Sequence, residues 1–211
     1  INPIDPQEMY ITTGDAHASD TYSIGILKSN DGGQTWDTTG MQFAVTDDKM
    51  VNKVIIHPTY TDSLFAVTDK NIKISPDGGQ SWSNALTSSG STMIGRFRDI
   101  EFKPNNPNVL YAVKQTTGSS QVYKSSDRGL SWSSAMNGIS VANRNRPLLA
   151  VTPANPDVVY VLFCMNDYGF HGIYKSTDNA GNWTLQSDSP NILGRKTDGT
   201  STGGQSWYDL S

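Results

Sequence analysis

The octapeptide Ser29-Asn30-Asp31-Gly32-Gly33-Gln34-Thr35-Trp36 returns three times in this chain, and that recurrence constrains the fold more than any other feature. Its copies begin at Ser75, Ser125 and Ser176 and end at Trp82, Trp132 and Trp183. The shared pattern is S-x-D-x-G-x-x-W, and self-similarity at a fixed period is the signature of a repeat architecture. A short apolar run precedes each copy, as in Ile72-Lys73-Ile74 and Val122-Tyr123-Lys124. Such a run reads as a strand that ends at the Ser. The Asp turns its carboxylate onto nearby backbone N–H groups, and Gly supplies the positive φ of a tight reversal. Asp31, Asp77, Asp127 and Asp178 are therefore expected to be structural turn residues. Trp36, Trp82, Trp132 and Trp183 open the returning strands and are expected to be buried apolar anchors. The fourth copy has Ala180 at the Gly position, which predicts a distorted turn.

A second element precedes each turn: a strand, a Pro, a polar reversal and another strand, clearest in 102–111. Proline fixes φ and ends the strand, and Asn-Pro or Asp-Pro nucleates the reversal. Runs such as Leu64-Phe65-Ala66-Val67 and Leu110-Tyr111-Ala112-Val113 are continuously apolar, as expected of strands covered on both faces. Each unit thus holds four antiparallel strands. The Trp-to-Trp spacings are 46, 50 and 51 residues. Four strands at that period match a β-propeller blade. A β-helix has a much shorter period, and an immunoglobulin-like sandwich does not repeat internally. The chain reads as all-β, one propeller segment with blades at 1–50, 51–97, 98–146 and 147–207. Residues 208–211 either open a next blade or close a four-blade ring with residues 1–3. Tyr208-Asp209-Leu210-Ser211 matches Arg98-Asp99-Ile100-Glu101, so it is expected to be an inner strand. A segment of a larger ring is the favoured expectation, with further blades or domains on the same polypeptide.

Composition narrows the partners. A formal charge of −4 argues against nucleic acid, and no apolar run is long enough to insert into a membrane. The single cysteine, Cys164, sits in an apolar strand and is expected to be a buried, inert thiol.

The S-x-D-x-G-x-x-W boxes and the Pro reversals resemble the Asp-box (BNR) repeat families. These include sialidases, xyloglucan-hydrolysing glycosidases, sortilin-type receptor domains and the photosystem II assembly propeller. The likeness covers essentially the whole chain. It implies a β-propeller, and its style is similar to modules of large secreted or surface proteins. Function is poorly specified by such a likeness, because one fold hosts enzymes, receptors and assembly factors.

Sites on propellers lie where the loops between second and third strands meet the loops joining blades. Here those loops are 14–22, 114–121 and 166–171, with 47–49, 96–99, 143–146 and 195–198. Glycoside hydrolysis needs two carboxyl groups at a defined separation. The candidates are Asp99 and Asp209, each opening an inner strand, and Asp15. A sialidase also needs an arginine cluster with a Tyr–Glu pair, and these loops hold arginines but no Glu. Noncatalytic binding would use Tyr22, Tyr168 and Phe170 as stacking platforms, with Arg98, Arg144 and His171 as polar partners. His17 and His171 beside Asp15, Asp20 and Asp167 lack a metal-ligand spacing, so no metal or cofactor is expected. The reading that follows is a secreted or cell-surface binding or scaffold module for a glycan or protein, with glycoside hydrolysis as the alternative.

Overall fold

The computed structural model describes residues 1–14, 23–47, 49–140 and 142–209, without the side chains of Tyr208 and Asp209. Asp15, His17, Asp20 and Tyr22 lie outside the described residues. The chain forms two compact units, 1–97 with 129–131, and 98–128 with 132–211.

In the first unit, β1 (Met9–Thr12), β2 (Gly25–Ser29) and β3 (Asp37–Gln42) form an antiparallel sheet in chain order. The strands β4 (Val51–Ile56), β5 (Leu64–Thr68), β6 (Ile72–Ser75) and β7 (Ser83–Asn84) form a second such sheet, and β8 (Leu86–Thr87) follows it. Every residue of β5 is buried, as its unbroken apolar run predicts. Tyr10, Ile26, Met41, Val51, Leu64 and Ala66 build the core, with the partly buried Trp82 packed against it.

The strand β9 (Arg96–Phe102) leads into the second unit. There it is followed by β10 (Leu110–Gln115), β11 (Gln121–Ser125) and β12 (Ser131–Ser134), in that order within their sheet. The last sheet is β13 (Pro147–Val151), β14 (Val159–Cys164), β15 (Phe170–Ser176) and β16 (Thr184–Ser187). Tyr111, Val122, Leu149, Val161, Phe163 and Trp183 are among its core residues. Chain-order antiparallel sheets of this kind are propeller blades.

The sheet of the first blade has three described strands, β1 to β3. Tyr208 and Asp209, expected on an inner strand, belong instead to a helical turn, Ser206–Asp209. The Ser206 N–H donates to the Tyr168 carbonyl, and Arg146 Nη1 donates to the Trp207 carbonyl at 2.9 Å. These bonds fold the segment onto the last blade's loops and take up backbone groups that a strand would present to a partner.

The repeated turn is built as the sequence predicts. Ser29 Oγ donates to Asp31 Oδ1 at 2.7 Å and accepts the Gly33 N–H at 2.9 Å. Asp31 Oδ1 also accepts the Thr35 N–H, and Oδ2 accepts the Thr35 hydroxyl at 2.6 Å. The second turn repeats this with Ser75, Asp77, Gly79 and Ser81. So does the fourth, with Ser176, Asp178, Ala180 and Asn182. The expected distortion at Ala180 is absent. Ala180 takes the left-handed conformation itself, at φ 61°, in place of the φ 89° and 90° of Gly79 and Gly33. That conformation costs an L-residue about 1 kcal/mol, and burial of the Ala180 methyl in the second unit's core offsets it.

Each Asp turn is also tied to the Pro reversal of its own blade. The N–H groups of Gly32, Gly78, Arg128 and Asn179 donate to the carbonyls of Gln7, Asp62, Asn108 and Asp157, at 2.8–3.0 Å. Both loop sets therefore share one face of each blade, and that face is occupied by its own scaffolding. The remaining loops are the ones free to hold a site.

Candidate binding site

Three of those remaining loops converge in the second unit. Loop 116–120 joins β10 to β11, 142–146 enters β13, and 165–169 joins β14 to β15. The Gly118 N–H donates to Asn166 Oδ1 at 2.9 Å, and the Asn166 N–H donates to Asn143 Oδ1 at 3.2 Å. A parallel bridge joins Ser119 to Arg144, and the Asn145 N–H donates to the Cys164 carbonyl at 2.7 Å. Backbone-directed bonds of this density hold the loops in one arrangement before any ligand arrives, which lowers the entropy cost of binding.

Arg144 lies at the centre of this floor. Only 5% of its surface is exposed. Its Nε donates to the Ser120 carbonyl at 3.0 Å, and its guanidinium sits 5.9 Å from the centre of the Phe163 ring. Nη1 is buried without a hydrogen-bond partner, and no described carboxylate pairs with the charge. A buried cation normally acquires an acid partner, because desolvation penalises an isolated charge. Here burial does depress the guanidinium's proton affinity, with the nearby Tyr174 acting against that shift.

His171 stacks on Tyr174 and meets the edge of Phe163. Its Nε2 lies 3.0 Å from the Ala142 carbonyl, which can only accept, so Nε2 carries the hydrogen. Burial lowers the imidazole's pKa, and the neighbouring Arg144 charge pushes it the same way. The ring is therefore neutral near pH 7, with a bare Nδ1 that has no partner. A donor on Arg144 and an acceptor on His171 are thus both left open beneath the same loops.

Arg98 and Arg146 extend the polar floor. Arg98 Nε donates to Gln115 Oε1, and Gln115 Nε2 donates to Asn145 Oδ1 at 2.8 Å. Tyr168 keeps a left-handed φ of 66°, is 39% exposed and meets Trp207 edge to face at 4.8 Å. Its ring is open to a partner on the other side. Phe170 is not a stacking platform. It is 3% exposed and packs with Cys164 and Leu193, while its N–H donates to Asn191 Oδ1. Strand alternation explains the difference, since Phe170 begins β15 and its side chain falls on the inward face.

Asp99 also sits differently from a catalytic acid. It is 4% exposed; Oδ2 accepts the Leu149 N–H at 3.0 Å, and Oδ1 accepts the Ile100 N–H at 2.9 Å. Oδ2 thus links β9 to β13, and Oδ1 is held by the next N–H of its own strand. Asp209 lies in the terminal helical turn, away from the inner strand proposed for it, and Asp15 falls outside the described residues. Among the described residues, no group of three His, Cys, Asp or Glu side chains converges as a metal site. Cys164 is buried, and burial pushes its thiol pKa up. Arg195 and Asp198 line a separate cleft of about 340 Å³ in the 190–199 loop. No helix is long and apolar enough to cross a membrane.

The side chain before each Trp is a functional feature that the sequence pattern had left as an x. Thr35, Ser81 and Asn182 each complete the Asp cage, and the signal was a hydroxyl or amide at that position in all four copies.

Solved structures share this fold. A GH74 xyloglucanase from Xanthomonas campestris superposes with a TM-score of 0.67 at 14% identity, covering 88% of this chain and 29% of that one. An ancestral GH74 enzyme gives 0.62 at 22% identity, covering 84% and 23%. A Hadza microbial sialidase gives 0.55 at 13% identity, covering 90% and 46%. The chain thus spans less than a third of either GH74 enzyme. These likenesses show the β-propeller fold. No curated protein sequence matches the chain. The family model Sortilin-Vps10, described as sortilin, neurotensin receptor 3, matches residues 25–142 and again 70–196. Since either match alone spans more than half the residues, the chain belongs to the Sortilin-Vps10 family of β-propellers.

Proposed function

We propose that this segment is a noncatalytic binding module of a secreted or cell-surface protein, holding a glycan or protein ligand on the second unit's loops. The observation that carries the reading is Arg144, a buried cation with an unused donor and no acid partner among the described residues, beneath loops already fixed by hydrogen bonds. A ligand bearing an acidic group or an array of hydrogen-bond acceptors would compensate that charge, with the exposed face of Tyr168 supplying stacking area. The family description supports the reading, since it names a receptor. The commitment of both Asp99 oxygens to backbone N–H groups counts against the glycoside hydrolase alternative, which needs that carboxyl group free.

The test is a binding screen of the purified chain against glycan and peptide arrays, followed by titration of the strongest hit. Tyr168→Ala and Arg144→Met should each weaken that hit at least about tenfold, equivalent to ~1.4 kcal/mol. Thermal unfolding of each variant separates lost contact from lost fold. Affinity unchanged in both folded variants would remove these loops as the site.

A further inference from the structure

The first unit carries a second, independent cleft. It encloses about 150 Å³ between Phe43, after β3, Lys49, before β4, the turn residues Asp69 and Lys70, and Lys73 on β6. Thr68 and Asn71 complete its lining, and Lys49 Nζ lies 4.9 Å from the centre of the Phe43 ring. Among the described residues, Lys49, Lys70 and Lys73 line the cleft with Arg96 nearby, and Asp47 and Asp69 answer them. Asp47 pairs with Lys49 at 3.3 Å. Asp69 pairs with Lys70 at 3.2 Å, accepts the Met50 N–H, and lies within electrostatic reach of Arg96.

That leaves Lys73 without an acidic partner among the described residues. Its ammonium is partly desolvated, and both that burial and the Lys49 charge lower its pKa. A half-buried ammonium beside a like charge gains from any counter-ion that enters. We infer that this cleft is a binding pocket for a single oxyanion on a sugar ring, a carboxylate or a sulfate ester held by Lys73 and Lys49 with the ring against Phe43. The volume suits one such group with part of its ring, and the apolar wall favours a ring-bearing anion over a bare inorganic ion. Lys70 and the Met50 N–H keep Asp69 occupied, so the acid does not compete for Lys73.

The experiment is titration of the whole chain, by heteronuclear NMR, with glucuronate, glucose 6-sulfate and neutral glucose. One or both acidic sugars should shift resonances of Phe43 and Lys73 with a dissociation constant of about 1–10 mM, and glucose should not. Affinity should fall about tenfold in Lys73→Met and in Lys49→Met, and fall further at high salt because the attraction is electrostatic. Lys196→Met, a change of equal charge in the other unit, should leave it unaltered. The ratio of the two acidic sugars tells which oxyanion the pocket prefers. Binding of neither, equal binding of glucose, or affinity unmoved by both Lys73→Met and Lys49→Met would overturn the proposal.

Discussion

At the first repeated turn the Trp36 indole N–H donates to the Gly33 carbonyl of its own loop, 3.1 Å away, and the ring is only partly buried. At the fourth, Trp183 is 4% exposed; its indole N–H donates to Ala135 at 2.9 Å and its backbone N–H to Asn137. Ala135 and Asn137 belong to the preceding blade. The same octapeptide thus yields a self-contained turn in one place and a bolt between blades in the other. Gly138 shows how close that bolt runs, since a Cβ there would lie 2.1 Å from the Trp183 carbonyl oxygen. The Asp cage is common to both turns, so the motif specifies the reversal and the neighbouring blade decides how much its Trp is worth.

The widest gap between the two turns should appear on truncation. Trp183→Ala should cost about 3–5 kcal/mol, the range for a fully buried aromatic, while Trp36→Ala should cost no more than about 1–2 kcal/mol. Chemical denaturation midpoints of the two variants decide it, and equal losses would break the comparison. Gly138→Ala probes the same seam from the other side. The residue combines a left-handed φ of 91° with that backbone approach, so about 2–3 kcal/mol of destabilisation is expected. A neutral outcome would mean that the blades separate at little cost there.

Acid provides the smallest and most even effect, because the cages are alike. The Thr35 hydroxyl, then its backbone N–H, hold the Asp31 carboxyl far below its ordinary pKa of 3.8, and the Asn182 amide does the same for Asp178. A depressed carboxyl stabilises the fold fully above the unfolded value and loses that contribution as pH falls through the folded value. The unfolding temperature should therefore be insensitive to these groups from pH 7 to about 5 and decline below about pH 4. Asp31→Asn should shallow that decline. An unchanged profile would show that the cage contributes nothing through ionisation.

Which of this could be read from the chain follows from what is local. The turns, the Pro reversals, the four strands per blade and the buried run of β5 are written in adjacent residues, and they were legible. The burial of Trp183 against partly buried Trp36 was not, because it depends on residues about forty-six to forty-eight positions away in Ala135 and Asn137. Ala180 was misjudged as a distortion because its compensation is tertiary: the methyl joins a core that no local pattern reveals. The loops that carry Arg144 and His171 were legible, and those two side chains lie within electrostatic reach of each other. Phe170 was misplaced because a loop boundary two residues off turns a surface aromatic into a strand residue facing the core. Asp99 was misread for a related reason. A carboxylate at a channel-side strand looks catalytic until its partners, Ile100 and Leu149, are known.

The choice of the binding-module reading over the glycoside hydrolase alternative turns on that last residue, and one paired measurement tests it. Unfolding stability and xyloglucan hydrolysis should be measured on the native chain and on Asp99→Asn. With Asp99 as a link between β9 and β13, the substitution replaces a charged acceptor of two backbone N–H groups and should cost about 1.5–3 kcal/mol. No turnover should be seen in either protein. Turnover by the native chain that vanishes in an Asp99→Asn variant of unchanged stability would contradict the account.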